Sequence, residues 1–461
     1  MQKVGMTNKT HSFRRREFIA STAAFAIGAS IASDSRGERK WYRGNLHTHT
    51  LLSDGRALPE EAALLYKRFG YDFLVYSDHN KVFSDGNLWI NAKNRPNCFK
   101  EENIARFRRV FPECPPESRT EPDGTVSYRL KTFDELSRQL NVPGKFLVVS
   151  GCEYHNNSAN GIVLHCNGIN TRTSRIHKAV PDEHASLANL LEEHAKTCPP
   201  GKVKSLFTVN HPFWYHYDLD PMFLADHPEV RFFEIANAIS PPVLGMMEGA
   251  YSPDKLWDVA LAHRASRGEP VLYAVAADDI HHYERMYGEF EGKKNPMRKC
   301  HVRVRARELT VDALIDAMNE GDFYASNGVE LNDVKFDSSS GTLSVDVNPG
   351  EFKNIVIRFY GTKKGFDGTV GECTEYLLKE LAAGRQKQVP AWAGEKRRIR
   401  KFSDDIGTVL KEVRGTKASY TLQKDDLYVR AKVFERTRAG NEDTLPPYTY
   451  VAWTQPYGFG R

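Results

Sequence analysis

Apolar segments with the length of buried strands recur through the first 280 residues of this 461-residue chain. Amphipathic helical segments separate several of them. The predicted strands are residues 44–49, 71–76, 146–149, 162–164, 206–209, 232–235 and 271–275. One predicted helix begins at Pro59, and three others cover residues 187–196, 256–267 and 311–319. Near-continuous apolar strands alternating with helices predict an α/β fold whose parallel strands close into a barrel.

Residues that can bind metals stand at the ends of these strands. They are His47, His49, His79, Glu153, His165, His211, Asp279 and His281. The carboxyl ends of barrel strands meet at one opening, so we expect these side chains to converge there. A single His-x-His pair is weak support, because 16 histidines in 461 residues give roughly half such a pair by chance. The repeated placement at strand ends therefore carries the prediction.

The spacing and the chemistry of these residues favour a centre with more than one metal ion. Side chains alternate along a strand, so His47 and His49 share a face, and so do Asp279 and His281. Imidazoles and carboxylates without a thiolate suit zinc, manganese or iron. The set exceeds what one ion needs, which predicts at least a binuclear site with a bridging hydroxide as the nucleophile.

The distribution of histidines predicts a second domain. The last histidine is His301, so histidine-based chemistry lies before about residue 302. A turn-like segment near residue 330 precedes residues 331–461, whose short alternating strands predict a small β-sandwich. Residues 81–144 interrupt the barrel pattern as an insertion. They either shape access to the site or form a surface elaboration, and the sequence leaves both interpretations open.

The N-terminus predicts export. Arg15 and Arg16 precede Glu17-Phe18-Ile19 and a short, weakly apolar stretch, so residues 1–32 resemble a cleavable twin-arginine signal peptide. An uncleaved amphipathic tail is the alternative. This segment carries a net charge of +4 out of +5, and the remaining +1 gives no argument for nucleic-acid binding. We expect an exported, periplasmic or secreted protein without a membrane span in the mature chain.

The seven cysteines predict neither a disulfide scaffold nor a thiolate zinc site, because they form no C-x-x-C pair. Cys152 and Cys166 flank predicted ligands. Strand alternation points their side chains outward, where we expect them to pack against helices.

Four motifs in order resemble those of the PHP (polymerase and histidinol phosphatase) superfamily, and within it the carbaryl-hydrolase-like branch. They are Gly44-Asn45-Leu46-His47-Thr48-His49-Thr50, Ser53-Asp54-Gly55, Asp72-Phe73-Leu74 with Ser77-Asp78-His79-Asn80, and Asp279-Ile280-His281. The resemblance covers about residues 41–330. It implies a distorted seven-stranded parallel (β/α) barrel with two or three divalent metal ions.

The resemblance also implies a role for each ligand. The first metal would be held by His47, His49, Glu153 and Asp279; Glu153 would bridge to a second metal held by His165 and His211; and Asp54, His79 and His281 would hold a third. Asp54 stands where many relatives have histidine, which leaves the third position open. His155 is an alternative to His165, and we favour His165 because it ends its own predicted strand. Phe233-Glu234-Ile235-Ala236-Asn237 also resembles a strand of this superfamily, and the role of Glu234 stays open.

The activity implied is that of a metal-dependent hydrolase acting on ester bonds, with Glu153 and Asp279 as catalytic residues around the bridging hydroxide. A phosphate ester is the family default, whereas the nearest branch points to a related carboxylate or carbamate ester. The expected partners are a small-molecule ester and the twin-arginine export machinery. The alternatives are a PHP-type nuclease and a catalytically inactive, metal-containing binding protein.

Overall fold

The computed structural model describes residues 38–156, 158–160, 162–174, 179–212, 219–239, 252–290, 300–377, 396–436 and 450–459. The predicted signal peptide, residues 1–32, lies outside the described residues. The helices are α1 (Pro59–Arg68), α2 (Glu101–Val110), α3 (Phe133–Leu140), α4 (Glu183–Thr197), α5 (Pro221–Asp226), α6 (Pro253–Arg267), α7 (Glu284–Phe290) and α8 (Val311–Asn319). A 3-10 turn covers Ala92–Asn94.

The strands divide between the two parts of the chain. The first part contains β1 (Lys40–Asn45), β2 (Phe73–Val75), β3 (Trp89–Asn91), β4 (Ser118–Thr120), β5 (Val126–Arg129), β6 (Leu147–Val149), β7 (Gly151–His155), β8 (His165–Ile169), β9 (Leu206–Val209), β10 (Phe232–Asn237), β11 (Tyr273–Ala277), β12 (His301–Ala306) and β13 (Phe323–Ser326). The second contains β14 (Glu330–Asp337), β15 (Thr342–Asn348), β16 (Ile355–Gly361), β17 (Thr374–Leu377), β18 (Lys396–Ile399), β19 (Thr408–Arg414), β20 (Lys417–Thr421), β21 (Arg430–Glu435) and β22 (Val451–Thr454).

The fold is mixed α/β, and its sheets are mixed as well. A nine-stranded sheet has the order β19-β16-β21-β22-β13-β12-β1-β2-β6, and a five-stranded sheet has the order β11-β10-β9-β8-β7. Within them, β1, β2 and β6 are parallel, as are β9, β10 and β11. Only Ser150 separates β6 from β7. Two isolated parallel bridges connect the two sheets. One joins Thr48 to Ile280, beyond the ends of β1 and β11, and the other joins His79, beyond the end of β2, to Glu153 of β7.

The prediction that all these strands are parallel is wrong at β8. This strand runs antiparallel to both β7 and β9, and the predicted strand 162–164 belongs to the loop before it. The physical reason is the short connection between His155 and His165, because a parallel crossover needs roughly a dozen residues or more. The nine-stranded sheet is likewise mixed, since β12 pairs antiparallel with β1.

Local sequence accounts for the boundaries of the helices. Helix α1 begins at Pro59, as predicted, with Glu60 and Glu61 in its first turn. Helix α8 has the predicted bounds, and the Thr310 hydroxyl caps it by accepting a hydrogen bond from the Ala313 N–H at 3.3 Å. These signals are local, which is why the sequence predicts them well.

The apolar core covers the outer face of the five-stranded sheet. Cys152 and Cys166 are fully buried there, in one cluster with Leu187 of α4 and Trp257 of α6. The prediction that the two cysteines pack against helices is therefore confirmed. All seven cysteines are free thiols.

The insertion, residues 81–144, forms the small sheet β3-β5-β4 together with α2 and α3. Its Phe107 and Leu136 share an apolar cluster with Tyr66 of α1 and Tyr287 of α7. The insertion is therefore packed on α1 and α7. No helix among the described residues is long and apolar enough to cross a membrane.

Strands after residue 330 pack in two layers. Strands β16, β19, β21 and β22 extend the nine-stranded sheet, while β14, β15 and β20 form a second sheet. Val334 and Leu343 of the second sheet lie in one apolar cluster with Ile357 and Val433 of the first. The domain division near residue 330 remains a prediction.

Buried polar contacts attach these C-terminal strands to the first part. Arg430 is fully buried and pairs with Asp254 at 2.9 Å and Asp258 at 2.8 Å, both on α6. The Gln455 amide accepts from the Ala274 N–H at 3.0 Å and donates to the Ala274 carbonyl at 2.9 Å. Gln455 thus hydrogen-bonds β11 in the way a neighbouring strand would.

Candidate metal centre

All nine predicted ligands lie at one end of the two central sheets. They are His47, His49, Asp54, His79, Glu153, His165, His211, Asp279 and His281. Most of them follow a strand that ends at this side. His165 instead begins β8, and because β8 is antiparallel, its first residue lies at the edge where its neighbours end. His165 therefore lies beside the other candidate ligands although it begins its strand, whereas the sequence predicts that it ends one.

The most buried ligands form what we call the inner group. It comprises His47, His49, His165, His211, Glu153 and Asp279. The Nε2 atoms of His47 and His49 lie 3.0 Å apart. Asp279 Oδ1 lies 3.3 Å from His47 Nε2 and 3.1 Å from His49 Nε2, and Glu153 Oε1 lies 3.2 Å from His47 Nε2. Each of these two rings therefore lies within 3.4 Å of both carboxylates, but no candidate cluster among the described residues contains Glu153 and Asp279 together, in contrast to the first predicted metal.

Glu153 extends from this volume to further histidines. Its Oε1 lies 3.1 Å from His165 Nδ1 and 3.4 Å from His211 Nε2. Its Oε2 lies 3.4 Å from His49 Nε2 and 2.8 Å from His79 Nδ1. The two oxygens face different rings, which is the arrangement that a carboxylate bridging two ions needs.

Four residues form what we call the outer cluster: His49, Asp54, His79 and His281. Asp54 Oδ2 lies 3.3 Å from His281 Nε2 and 3.7 Å from His79 Nε2, and its Oδ1 lies 3.6 Å from His49 Nδ1. The side chain of Asp54 is 52% exposed, and those of His79 and His281 are 23% and 20% exposed, against 1% for Glu153. The centre therefore opens to solvent on the side of the outer cluster.

The grouping differs in detail from the sets that the family resemblance implies. His79 is close enough to form a cluster with Glu153 and His165, as well as with Asp54. His211 groups with His47 and Asp279. His155, the alternative to His165, has its ring centroid 5.0 Å from that of His165, and no cluster of three or more ligands among the described residues includes it.

Strained backbone accompanies two of these ligands. His211 has φ 21° and Asp279 has φ 51°, and Asn80, next to His79, has φ 47°. Non-glycine residues in this region cost about 1–3 kcal/mol each and concentrate at functional sites. The Asp279 N–H donates to the His47 carbonyl at 3.1 Å, and the Asn80 N–H donates to the Glu153 carbonyl at 2.8 Å. Hydrogen bonds to neighbouring ligand-bearing segments therefore stabilise the backbone of Asp279 and of Asn80 in this conformation.

Sequence reasoning left the role of Glu234 uncertain, and the structure places it behind the inner group. Glu234 Oε1 lies 2.8 Å from His47 Nδ1, and its Oε2 accepts from the His211 N–H at 2.9 Å and from Asn237 Nδ2 at 2.9 Å. A proton on His47 Nδ1 leaves the lone pair on Nε2, which faces the other ligands. The signal was present in the sequence, because residues 233–237 resemble a strand of the same family.

Asn210 also contacts the inner group from behind. Its Nδ2 donates to Glu153 Oε1 at 2.9 Å and to Asn167 Oδ1 at 2.9 Å. The Asn-His pair in the sequence therefore combines an orienting amide with a candidate ligand. An amide gives no distinct sequence signal for this role, since asparagine is common in loops.

Burial and charge set the protonation of the ligands. Burial lowers the pKa of His49 to about 4 and that of His165 to about 3, so both rings are neutral at pH 7 and present lone pairs. Burial acts in the same direction on His47, but Asp279 and Glu153 outweigh it and raise the pKa of His47 well above its ordinary value. The carboxyl pKa of Glu153 is lowered, since the surrounding histidines outweigh the effect of its burial.

The residues present fit a divalent metal centre. Glu153 Oε2, Asp279 Oδ1 and His79 Nδ1 are buried and make no hydrogen bond of good geometry, although ring nitrogens approach both oxygens within 3.1 Å. An ionised oxygen buried without a hydrogen-bond donor is costly unless a cation faces it. Carboxylate oxygens and neutral imidazole nitrogens are the ligands that zinc, manganese and iron accept. Bound cations would satisfy the charges and the unpaired atoms together.

Comparison with known proteins gives a distant likeness only. No protein-family model matches the chain, and no curated protein matches it. A solved structure from Bacteroides vulgatus, a two-domain protein described as containing a predicted PHP-like metal-dependent phosphoesterase, is 14% identical with a TM-score of 0.37. The match covers 86% of this chain and 91% of that chain.

Two further structures each match 52% of this chain and 87% of their own. One is a candidate metal-dependent phosphoesterase from Bifidobacterium adolescentis, with 10% identity and a TM-score of 0.29. The other is an amidohydrolase from Chromobacterium violaceum with bound sulfate and no metal, with 13% identity and a TM-score of 0.26. Scores this low assign neither a family nor an activity, so the interpretation of the centre rests on its own geometry.

Proposed function

We propose that this chain is a metal-dependent hydrolase that uses two or three divalent ions, zinc, manganese or iron, to cleave an ester bond. The observation that carries the proposal is the pair of buried carboxylates, Glu153 and Asp279, whose oxygens lie 2.8 to 3.4 Å from the ring nitrogens of five histidines. An ion-pair network would need charged rings, whereas burial lowers the pKa of His49 to about 4 and that of His165 to about 3, so both rings present lone pairs at pH 7.

Residues of this chain would bind the ions and would form the face of the site that the substrate approaches. The inner group supplies buried ligands, and Glu153, with its two oxygens directed at different rings, is suited to bridge. Glu234 would keep the His47 ring oriented. Divalent ions held there would supply Lewis acidity and a nucleophile at neutral pH. The exposed outer cluster marks the side from which a substrate would approach.

We further propose that the fold is the distorted seven-stranded barrel of the PHP superfamily, in its carbaryl-hydrolase-like branch. Two observations support this. The first is the order of the histidine motifs. The second is the succession β1, β2, β6/β7, β8, β9, β10 and β11, in which the bridge between Thr48 and Ile280 connects the segment after β11 to the segment after β1. In this proposal, β8 is the strand that runs against the others.

The substrate is proposed to be a phosphate ester or a related carboxylate or carbamate ester. A nuclease is the second candidate by family analogy, but the near-neutral charge outside residues 1–32 disfavours a polyanionic partner. Export by a twin-arginine signal on residues 1–32 remains part of the proposal and is supported by Arg15-Arg16 and the short apolar stretch that follows.

Metal analysis combined with a substrate panel tests this function. The purified chain is stripped with a chelator, reloaded with zinc, manganese or iron(II), and assayed on phosphate monoesters and diesters, carboxylate esters and carbamate esters. We expect hydrolysis of one ester class to depend on reloading. Metal binding without hydrolysis of any ester would favour an inactive binding protein, and cleavage of DNA or RNA alone would favour the nuclease.

A further inference from the structure

The loop that carries Asp54 is held by charged side chains on two sides. On one side, the buried carboxylate of Asp78 accepts hydrogen bonds from N and Oγ1 of Thr50 at 2.8 and 2.9 Å, and from N and Oγ of Ser53 at 3.1 and 2.7 Å. Asp78 therefore satisfies the donors of this loop.

Two cations satisfy the carbonyl groups of the same loop. Lys81 Nζ donates to the Leu52 carbonyl at 3.0 Å, and Arg95 Nη2 donates to the Ser53 carbonyl at 2.6 Å. Hydrogen bonds from charged donors are stronger than those between neutral groups. The two carbonyls immediately precede Asp54, so these contacts fix the backbone from which its side chain extends.

Arg95 reaches the loop from the insertion, residues 81–144. It follows the 3-10 turn Ala92–Asn94, and its N–H donates to the Ala92 carbonyl at 3.1 Å. Leu52 belongs to the same apolar cluster as Cys98 and Leu130 of the insertion. The guanidinium is thus anchored on a segment that packs directly against the loop.

Asp54 depends on its backbone for its position more than the other carboxylates do. Its side chain is half exposed, its oxygens lie 3.3 to 3.7 Å from the rings of the outer cluster, and Oδ1 accepts a hydrogen bond at 3.2 Å from Ser53 Oγ of the same loop. The backbone itself runs close to His49, because a Cβ at Gly55 would lie 2.3 Å from the His49 carbonyl oxygen. A small displacement of the loop would therefore move the Asp54 carboxylate away from the outer cluster.

We propose that Lys81 and Arg95 are positioning residues that hold Asp54 in the outer cluster, and that the insertion thereby controls whether a metal ion occupies that cluster. This inference rests on the proposed metal-dependent function. It gives the insertion a specific task at the centre.

Titration of the metal-free full chain with Co²⁺, followed by visible absorption and calorimetry, tests the inference. We expect three equivalents in the unaltered chain. Arg95→Ala and Lys81→Met should each weaken the third equivalent by about 10- to 100-fold, the range typical for residues that orient ligands, and leave the first two unchanged. Arg95→Lys should recover part of the affinity because it keeps a charged donor. Lys93→Ala, in the same 3-10 turn, is the matched control and should bind as the unaltered chain does.

The outcomes separate this inference from the proposed function. Three results would overturn the positioning role. They are fewer than three equivalents of Co²⁺ in the unaltered chain, an unchanged affinity for the third equivalent in both Arg95→Ala and Lys81→Met, and equal weakening of all three equivalents. If Arg95→Ala does not fold, Lys81→Met decides the question. An unaltered chain that binds no Co²⁺ at all would overturn the proposed function itself.

Discussion

Replacement of Glu153 by glutamine tests the bridging arrangement most sharply. The substitution keeps the size of the side chain and removes its negative charge. The two carboxylate oxygens lie 2.8 to 3.4 Å from the ring nitrogens of the surrounding histidines, so an ion bound by those rings would lie within about 4 Å of the charge. Unit charges at that separation interact by about 4 kcal/mol at an effective dielectric constant of 20.

An energy of that size corresponds to roughly a thousandfold in affinity. The metal-free state of Glu153→Gln also loses its contacts with protonated histidines, which offsets part of the difference. We therefore expect each ion of the inner group to bind at least about 100-fold more weakly, with nearly all hydrolysis lost.

The assay is metal content per chain after dialysis, measured by plasma mass spectrometry, with hydrolysis followed on the same samples. Glu192→Gln, the same substitution at an exposed position of α4, is the matched control. Full metal content and activity in Glu153→Gln would refute the bridging role, and Glu234 would become the next carboxylate to replace.

Three other predictions follow from the same geometry and from the N-terminal sequence. His281→Ala should lose only the ion of the outer cluster and retain about two ions per chain by the same metal assay; fewer than two would show that the inner group depends on it. Joint replacement of Arg15 and Arg16 by lysine should retain the precursor in the cytoplasm, as fractionation and immunoblotting would show; unchanged processing would contradict a twin-arginine signal. Burial alone would raise the carboxyl pKa of Glu330, but His301 outweighs it and lowers the pKa to about 2 from its ordinary value of 4.5. Up to roughly 3 kcal/mol of the free energy of unfolding is therefore present above pH 4.5 and is lost as the pH falls toward 2. Denaturant unfolding of Glu330→Gln should show a correspondingly shallower acid dependence, and an unchanged dependence would contradict this.

Elements defined by local signals could be predicted from the sequence, whereas the pairing of strands could not. The bounds of α8 match the prediction because Thr310 caps a short amphipathic run. Neither the bounds nor the direction of β8 were predictable, since the apolar run at residues 162–164 lies in the loop before the strand and such a run does not encode which way a strand runs. For the same reason, the alternating strands after residue 330 gave no sign that several of them join the nine-stranded sheet.

The candidate ligands could be predicted from their residue types and positions, but their grouping could not. His79 lies between Glu153 and Asp54, and the backbone of its neighbour Asn80 has a positive φ that no sequence pattern specifies. Glu234 contacts His47 across a sequence separation of 187 residues, so its orienting role emerges only when the strands are assembled.

Anomalous X-ray diffraction from crystals of the zinc-loaded chain tests the central claim most directly. We expect one peak within about 2.0–2.2 Å of ligand atoms from His47, His49 and Asp279, and a second that shares the Glu153 carboxylate with the first. Crystals grown with saturating zinc that show no anomalous peak between these side chains would contradict it.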